Sequence, residues 1–413
     1  MAQDKDQKTL NVPPLRFPGF TDEWRDSCLL SDCDINPKSS NLEDKFVYLD
    51  LESVEKGELR KYKIIERLDA PSRAQRVLSN NDVLFQCVRP YQQNNYLYRA
   101  DNSRLQWVAS TGYAQLRVKN SSPEFIYHLL STQSFTKKVI VRCTGSNYPA
   151  INSEDLSTIH YQTCSLPEQK KIANFLTLLD ERIATQNKII EDLKKLKSAI
   201  IDKVFCLPSE KQPNKRLDGF NGDWEIVKLS EICERMTDRN SGLKCNLVLT
   251  IAAQYGLVSQ LDFFNKSVAS ENLSSYYVLK KGDFAYNKSY SGEYIWGAIK
   301  KLDYYEEGVL SPLYICFRPN KNMINSDFLA FYFETKKWHR GISEIAGEGA
   351  RNHGLLNISV IDFFNTIHRI PSLTEQIRIA TVLQTYQNKI NNEERLLLQY
   401  QTQRKFLLST MFI

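Results

Sequence analysis

The chain of 413 residues lacks any apolar run long enough to cross a membrane, and its first residues, MAQDKDQK, are polar. A membrane-spanning helix needs about 20 consecutive apolar residues, and a signal peptide needs an apolar core after a basic start. The nine cysteines are scattered singly, with no C-x-x-C pair. We therefore expect no membrane span, signal peptide, disulfide framework or zinc site, and the unpaired cysteines favour a reducing cytoplasm.

Signatures of catalysis are also missing. The sequence has no G-x-x-x-x-G-K-[ST] loop, no H-E-x-x-H pair, no G-x-S-x-G elbow and no Asp/Asn-Pro-Pro-Tyr/Phe tetrapeptide of amino-methyltransferases. The glycines of Gly347-Glu348-Gly349 do not continue into G-x-G-x-x-G. We expect no catalytic centre, metal or cofactor in this chain. A net charge of +6 permits nucleic-acid binding without requiring it.

What the chain does contain is a duplication. The segment LRFPGFTDEW, with Gly19 and Trp24, returns as KRLDGFNGDW around Gly219 and Trp224. SLPEQKKIA at 165–173 returns as SLTEQIRIA at 372–380. Repeats about two hundred residues apart are whole domains, so we expect two halves with approximate two-fold symmetry. The predicted parts are a tail at 1–14, a globular domain at 15–164, a long helix at 165–206, a linker at 207–216, a second globular domain at 217–371 and a second long helix at 372–413.

The strongest physical signal follows each SLxEQ segment. From Ile172, and again from Ile379, apolar residues recur at alternating steps of four and three over roughly five heptads. This period predicts two long helices with a coiled-coil seam, each a rod on the order of 55 Å at about 1.5 Å per residue. The alternative is two amphipathic helices packed into separate globular cores. Polar residues interrupt the period at matching places in the two copies, namely Gln186 and Lys197 in the first and Glu393 and Arg404 in the second.

The two globular segments mix short strand patterns with helices, which predicts an α/β (α+β) fold class. Strands are expected at 46–49, 82–88 and 115–118 in the first segment, and at 247–251, 283–286 and 313–317 in the second. Helical stretches follow at 123–141 and 326–342. Outside a few anchor positions the two segments hardly resemble each other, so we expect a shared scaffold with different globular faces.

Four loops at matching places of the two segments combine basic, amide and aromatic side chains. Arg reads guanine edges and Asn or Gln reads adenine, while Tyr, Ser and Lys reach phosphates. These loops predict a DNA-binding surface, and the plainer interpretation is an ordinary solvated loop at each place. The predicted DNA-binding residues are Arg73, Arg76, Arg89, Tyr91, Gln92, Gln93, Asn94, Arg142, Ser146, Asn147 and Tyr148 in the first segment, and Lys288, Ser289, Tyr290, Ser291, Tyr294, Arg351, Asn352 and His353 in the second.

Together, R-F-P-G-F-x-x-x-W at the start of a half, L-x-E-Q-x-x-I-A at the head of a long helix, and two such halves in tandem resemble the specificity (S) subunit of bacterial type I restriction-modification systems. The motif residues are Leu166, Glu168, Gln169, Ile172 and Ala173, repeated as Leu373, Glu375, Gln376, Ile379 and Ala380. The resemblance covers nearly the whole chain. One departure is Thr374, where the first copy has Pro167, from which we expect only a looser helix start.

The resemblance implies two target-recognition domains, each reading one half of an asymmetric bipartite double-stranded DNA sequence. It implies two long helices packed antiparallel between them, and a subunit that is not itself an enzyme. Partners would be two modification subunits, which use S-adenosylmethionine, and restriction subunits, which use ATP and magnesium, with no membrane involved. The expected location is the bacterial cytoplasm, on DNA.

In antiparallel helices related by a pseudo-two-fold axis, the interruptions of the seam could face one another. We expect Lys197 to meet Glu393 and Gln186 to meet Arg404, because a lone charge in an apolar seam is unfavourable. The alternative is that these long side chains reach solvent. For the whole chain, the rival functions are a coiled-coil scaffold whose end domains bind proteins, and a lone methyltransferase or nuclease.

Overall fold

The structure is a computed structural model that describes residues 10–100, 104–264, 272–289, 294–346, 354 and 356–413. It divides into two compact units, of which the first comprises Met1–Ile189 with Glu393–Ile413 and the second comprises Ile190–Asn392. Each unit therefore contains one globular segment and parts of both long helices.

Two long helices are present, Leu166–Val204 and Leu373–Thr410, which confirms the prediction from the heptads. They run antiparallel, because Gln186 contacts Glu393 whereas Asp180, earlier in the first helix, contacts Arg404, later in the second. The eight predicted seam residues of each helix are all buried or half-buried. Thr374 does not displace the second helix, which begins at the residue equivalent to Leu166.

The ends of the long helices also complete the globular cores. In the first unit, Leu176 and Met411 pack in one cluster with Trp24 and Phe125. In the second unit, Val204 and Leu383 pack with Trp224, Phe328 and their neighbours. Both interpretations of the apolar stripe are thus partly right, because one stripe is covered by the other helix and, at its ends, by a domain core. Periodicity identifies a buried face but not what covers it.

The globular segment of the first unit holds two four-stranded sheets. Their strand orders are Lys63–Glu66, Lys45–Leu49, Gln106–Ser110, Ala74–Val77, and Cys33–Ile35, Tyr113–Val118, Val83–Gln86, Tyr96–Leu97. Strand Arg25–Cys28 pairs with His160–Thr163, and Val54–Glu55 pairs with Glu58–Leu59. Pairing is antiparallel except between Gln106–Ser110 and Lys45–Leu49. The helices are Leu29–Asp32, Pro123–Leu130, Gln133–Arg142 and Ser153–Ser157, with 3-10 turns at Arg67–Asp69 and Pro90–Gln92.

The described residues of the second globular segment form one four-stranded antiparallel sheet, in the order Cys233–Arg235, Ile315–Pro319, Phe284–Asn287, Ala298–Lys301. Three strand pairs accompany it: Leu249–Ala252 with Gly256–Ser259, Tyr277–Lys280 with Glu307–Leu310, and Glu225–Lys228 with Ile367–Ile370. The helices are Leu229–Ile232, Gln260–Phe264, Ser326–Glu334, His339–Ile345 and Val360–Phe364. Both units are mixtures of helix and strand, as predicted.

All six predicted strands overlap observed ones, but each predicted helical stretch is divided into two helices. At the first break, the Thr132 hydroxyl accepts the backbone N–H of Phe135 and caps a new helix. At the second, the Thr335 hydroxyl accepts the N–H of Lys337. A threonine side chain that bonds its own backbone competes with a continuing helix, which is why the chain turns there.

The repeated sequence motifs hold the start of each long helix. Arg16 donates two hydrogen bonds to the buried Glu168 carboxylate, at 2.6 and 2.7 Å, and Arg216 donates two to Glu375, at 2.8 and 2.6 Å. The next residue, Gln169, accepts from the Ser122 N–H at 2.8 Å. Its equivalent Gln376 accepts from the Asn325 N–H at 2.8 Å. We call each set a helix-start clamp; both clamps tie a long helix to its domain.

The predicted pairing of Lys197 with Glu393 and of Gln186 with Arg404 is wrong. Gln186 donates to the Glu393 carboxylate at 2.6 Å, and the Arg404 guanidinium pairs with Asp180, with one contact at 3.1 Å. Lys197 donates to Gln387 at 2.8 Å and to Glu334, on a domain helix, at 2.9 Å. Asp180 and Gln387 were not predicted as partners because they lie beside the seam and do not break the heptad. Glu334 was not predicted because it lies outside the long helices.

Candidate nucleic-acid interface

Two loops of the first unit carry eight of its eleven predicted DNA-binding residues, and a ninth, Arg142, adjoins the second loop. Loop 88–95 follows the buried strand Val83–Gln86, and loop 143–150 follows helix Gln133–Arg142. Val88 forms a bridge with Ala150, and the Arg89 N–H donates to the Pro149 carbonyl at 2.8 Å. Loop 88–95, loop 143–150 and the adjoining Arg142 therefore lie side by side, as one surface.

Loop 88–95 is held in shape by the buried side chain of Gln86. Its amide nitrogen donates to the Val88 carbonyl at 2.8 Å and to the Gln92 side-chain oxygen at 2.9 Å, and its amide oxygen accepts the Asn94 N–H at 3.1 Å. Arg89 and Gln93 both have φ of 54°, a left-handed conformation that residues with a side chain rarely adopt. The network around Gln86 compensates for that backbone strain.

Loop 143–150 is closed by two backbone hydrogen bonds between Thr144 and Ala150, each 2.9 Å long. Gly145 has φ of 89°, and a Cβ placed there would lie 3.1 Å from the Tyr148 carbonyl oxygen. A residue without a side chain is therefore favoured at the turn. The loop exposes the predicted side chains of Ser146, Asn147 and Tyr148.

Arg89 and Tyr148 connect the two loops through their side chains. The Arg89 guanidinium carbon lies 4.4 Å from the centre of the Tyr148 ring, which is a cation–π contact. Tyr148 itself is 64% exposed. The pair places a half-buried cation, supported on one face by an aromatic ring, at the protein surface.

Three predicted base readers have structural contacts in the same loop. Gln93 donates to the Thr136 hydroxyl at 2.7 Å, and Asn94 accepts the Lys56 N–H at 2.9 Å. Gln92 accepts from Gln86, as described above, but Tyr91 is exposed. Arg142 is exposed too and donates to the Lys138 carbonyl of its own helix at 3.1 Å. The side chains of Gln92, Gln93 and Asn94 thus help to fix the loop.

The remaining two residues of the first unit lie at strand Ala74–Val77. Arg73 is exposed, while the Nε atom of Arg76 is buried and finds no acceptor within the part of the chain that the structure describes. Burial lowers the pKa of the Arg76 guanidinium, and burial also raises the pKa of the nearby Cys87 thiol to about 12. Arg76 is thus a partly desolvated cation close to the start of loop 88–95.

In the second unit, the described contacts join Lys288 to residues 356 and 358. Lys288 follows strand Phe284–Asn287, and its carbonyl accepts the Leu356 N–H at 2.9 Å. The Lys288 ammonium donates to the Ile358 carbonyl at 3.3 Å, Ser289 is exposed, and the Tyr294 hydroxyl donates to the Ala253 carbonyl at 3.3 Å. The predicted residues Tyr290, Ser291, Arg351, Asn352 and His353 lie outside the described residues.

Gln86, which fixes loop 88–95, was missed by the sequence interpretation because it lay inside a predicted strand. The available signal was an amide side chain within the apolar run 83–88. Over the described ranges, no cluster of three or more His, Cys, Asp or Glu is arranged to hold a metal ion. Nor does any helix in those ranges have the length and apolar character to cross a membrane.

Residues 35–195 match the family described as Type I restriction modification DNA specificity domain. The specificity subunit of the type I restriction enzyme MjaVIII from Methanocaldococcus jannaschii is 25% identical over 306 residues, which is 68% of this chain and 68% of that protein. These matches confirm the resemblance of this chain to the specificity subunits of type I restriction-modification systems. The HindI specificity subunit of Haemophilus influenzae is 26% identical over 141 residues, 33% of this chain and 30% of that protein.

Two solved structures share the fold of this chain. The S subunit of a type I restriction-modification system from M. genitalium has a TM-score of 0.57 at 16% identity and covers 97% of this chain and 99% of its own. A chain from a study of complex assembly and conformational transition of the type I system has a TM-score of 0.54 at 20% identity, covering 94% and 97%. The coiled-coil scaffold that binds other proteins through its end domains is not supported.

Proposed function

We propose that this chain is the sequence-specific DNA-binding subunit of a type I restriction-modification complex. Each globular domain reads one half of a bipartite target. The observation that carries the proposal is the paired-loop surface of the first unit, where a buried glutamine and backbone hydrogen bonds fix loops that expose basic, amide and aromatic side chains. Fixed side chains of these types recognise base edges and phosphates.

The two half-sites are unlike each other, so the target is asymmetric. A cation follows a buried strand in each unit, but it is an arginine stacked on tyrosine in the first and a lysine bonded to a backbone carbonyl in the second. An arginine fork and a lysine point charge recognise different groups. A shared scaffold with different loop chemistry supports two different sequences in one target.

The chain contributes recognition rather than catalysis. Its partners are two modification subunits that bind S-adenosylmethionine and methylate adenine, and restriction subunits that use ATP and magnesium. The complex works on DNA in the cytoplasm. The specificity-subunit family and the absence of catalytic signatures from the sequence support this division of labour.

The test is to purify the chain with its modification subunits and to map the adenines that the complex methylates. We expect one bipartite motif, and we expect duplexes with that motif to bind about 10³-fold or more tightly than scrambled ones. Affinity should fall steeply as salt rises, because phosphate contacts release counterions. Equal binding to both duplexes would contradict sequence-specific recognition. Methylation by the chain alone would contradict the division of labour.

A further inference from the structure

We propose that Arg89 reads a guanine in the half-site of the first domain, with Tyr148 as the residue that positions it. This inference rests on the proposed function and names one base contact within it.

Among the described residues, no carboxylate pairs with the Arg89 guanidinium. Five other partly buried arginines pair with carboxylates, namely Arg16, Arg117, Arg216, Arg318 and Arg404. Arg89 has the Tyr148 ring on one face, and its guanidinium forms no hydrogen bond or salt bridge among the described residues. Stacking on a ring leaves the edge of the guanidinium plane, where the donors are, available for a ligand.

The backbone conformation of Arg89 is strained. Arg89 has a φ of 54° and precedes Pro90, although a residue before proline favours an extended backbone. The conformation is kept by the hydrogen bond from the Arg89 N–H to Pro149 and by the Gln92 N–H, which donates to the Arg89 carbonyl at 3.0 Å. Strain that the surroundings maintain is typical of functional positions.

The fixed orientation of Arg89 suits a guanine base better than a phosphate. Arginine donates two parallel hydrogen bonds to O6 and N7 of guanine in the major groove, which requires a fixed orientation of the guanidinium plane. The Tyr148 ring and loop 88–95, which Gln86 holds in shape, supply that orientation. Phosphate contacts need only charge within reach, and Lys137 and Arg142, exposed on the adjoining helix, suit that role.

The experiment uses the complex of the full chain with its modification subunits. Affinity is measured at two salt concentrations for the cognate duplex and for duplexes with each base pair of the first half-site replaced in turn. The variants are Arg89→Ala, Arg89→Lys, Tyr148→Ala and Tyr148→Phe. The control is Lys119→Ala, which removes an exposed cation of the same domain that pairs with Asp34.

For Arg89→Ala we expect a loss of about 5- to 150-fold on the cognate duplex, loss of discrimination at one G·C position only, and an unchanged salt slope. Arg89→Lys should behave like Arg89→Ala, since lysine lacks the fork. Tyr148→Phe should match the wild type because the ring suffices, Tyr148→Ala should weaken discrimination at the same position, and Lys119→Ala should change nothing.

A uniform loss on all duplexes with a smaller salt slope would assign Arg89 to a phosphate and overturn the inference. Full discrimination by Arg89→Ala, or a first half-site without guanine, would also overturn it. In each of these outcomes the wild-type complex still binds its target selectively. A wild type that binds all duplexes equally would instead refute the proposed function, so the two failures are distinguishable.

Discussion

The two halves agree where the long helices begin and differ where the recognition loops lie. At the helix starts, Arg16 with Glu168 and Arg216 with Glu375 form the same bidentate pair. In the loops, Arg89 stacks on Tyr148, whereas Lys288 donates to the Ile358 carbonyl. The duplicated chain has kept the contacts that attach each domain to its helices and has changed the side chains offered to a ligand.

The two halves also agree in the aromatic contacts at the ends of the long helices. Phe412 lies 5.2 Å from Phe125 in the first unit, measured between ring centroids, and Phe205 lies 5.1 Å from Phe328 in the second. Phe205 and Phe412 each lie just beyond the end of a long helix. Burial of apolar rings is insensitive to what the loops contact, so such contacts persist while recognition diverges.

The largest effect is expected from breaking a helix-start clamp. Glu168→Ala leaves the partly buried Arg16 without its carboxylate and should lower the free energy of unfolding by about 3–5 kcal/mol. Glu375→Ala should cost slightly less, because only Glu168 also accepts from a tryptophan, Trp24, at 3.4 Å. Chemical denaturation of the two variants measures this. Glu23→Ala, an exposed residue of the same motif, is the control, and a similar small loss in all three would refute a structural role for the clamps.

A smaller loss of stability is expected when the partners of Arg404 and Lys197 in the seam are removed. These partners, Asp180 and Gln387, occupy equivalent positions of the two long helices. Asp180→Ala removes the carboxylate that Arg404 binds and should cost about 1.5–3 kcal/mol. Gln387→Ala leaves Lys197 its salt bridge with Glu334 and should cost about 1 kcal/mol. Denaturation of both variants under the same conditions tests this order. The reverse order would show that Glu334 does not compensate Lys197.

The smallest effect is a dependence on pH. Burial lowers the pKa of His128 in the first unit and of His368 in the second to about 4. Between pH 6.5 and 4 the unfolded chain binds protons that the folded histidines do not, so stability falls as pH falls, by about 1.4 kcal/mol per pH unit for each histidine. His128→Phe, which copies Phe331 at the equivalent position of the second unit, should reduce that slope in unfolding experiments at pH 6.5, 5.5 and 4.5. An unchanged slope would contradict a neutral, buried His128.

The sequence predicted the elements well and their partners poorly. Strand positions and the two long helices followed from local periodicity, which depends on neighbouring residues alone. The acceptors of Lys197 did not follow, because Glu334 is 137 residues away along the chain. The loop residues were found by composition, but that Gln93 and Asn94 bond within the protein depends on Thr136 and Lys56, which only the fold brings near. The DNA-binding roles of these residues stay a prediction.

The central claim is that each domain reads its own half of one target. Replacing residues 15–164 with the first domain of another specificity subunit, in a complex with the modification subunits, tests it most directly. Methylated adenines are then mapped for the parent and the chimera. We expect one half of the bipartite motif to change while the other half stays the same. A motif changed in both halves, or in neither, would contradict the account.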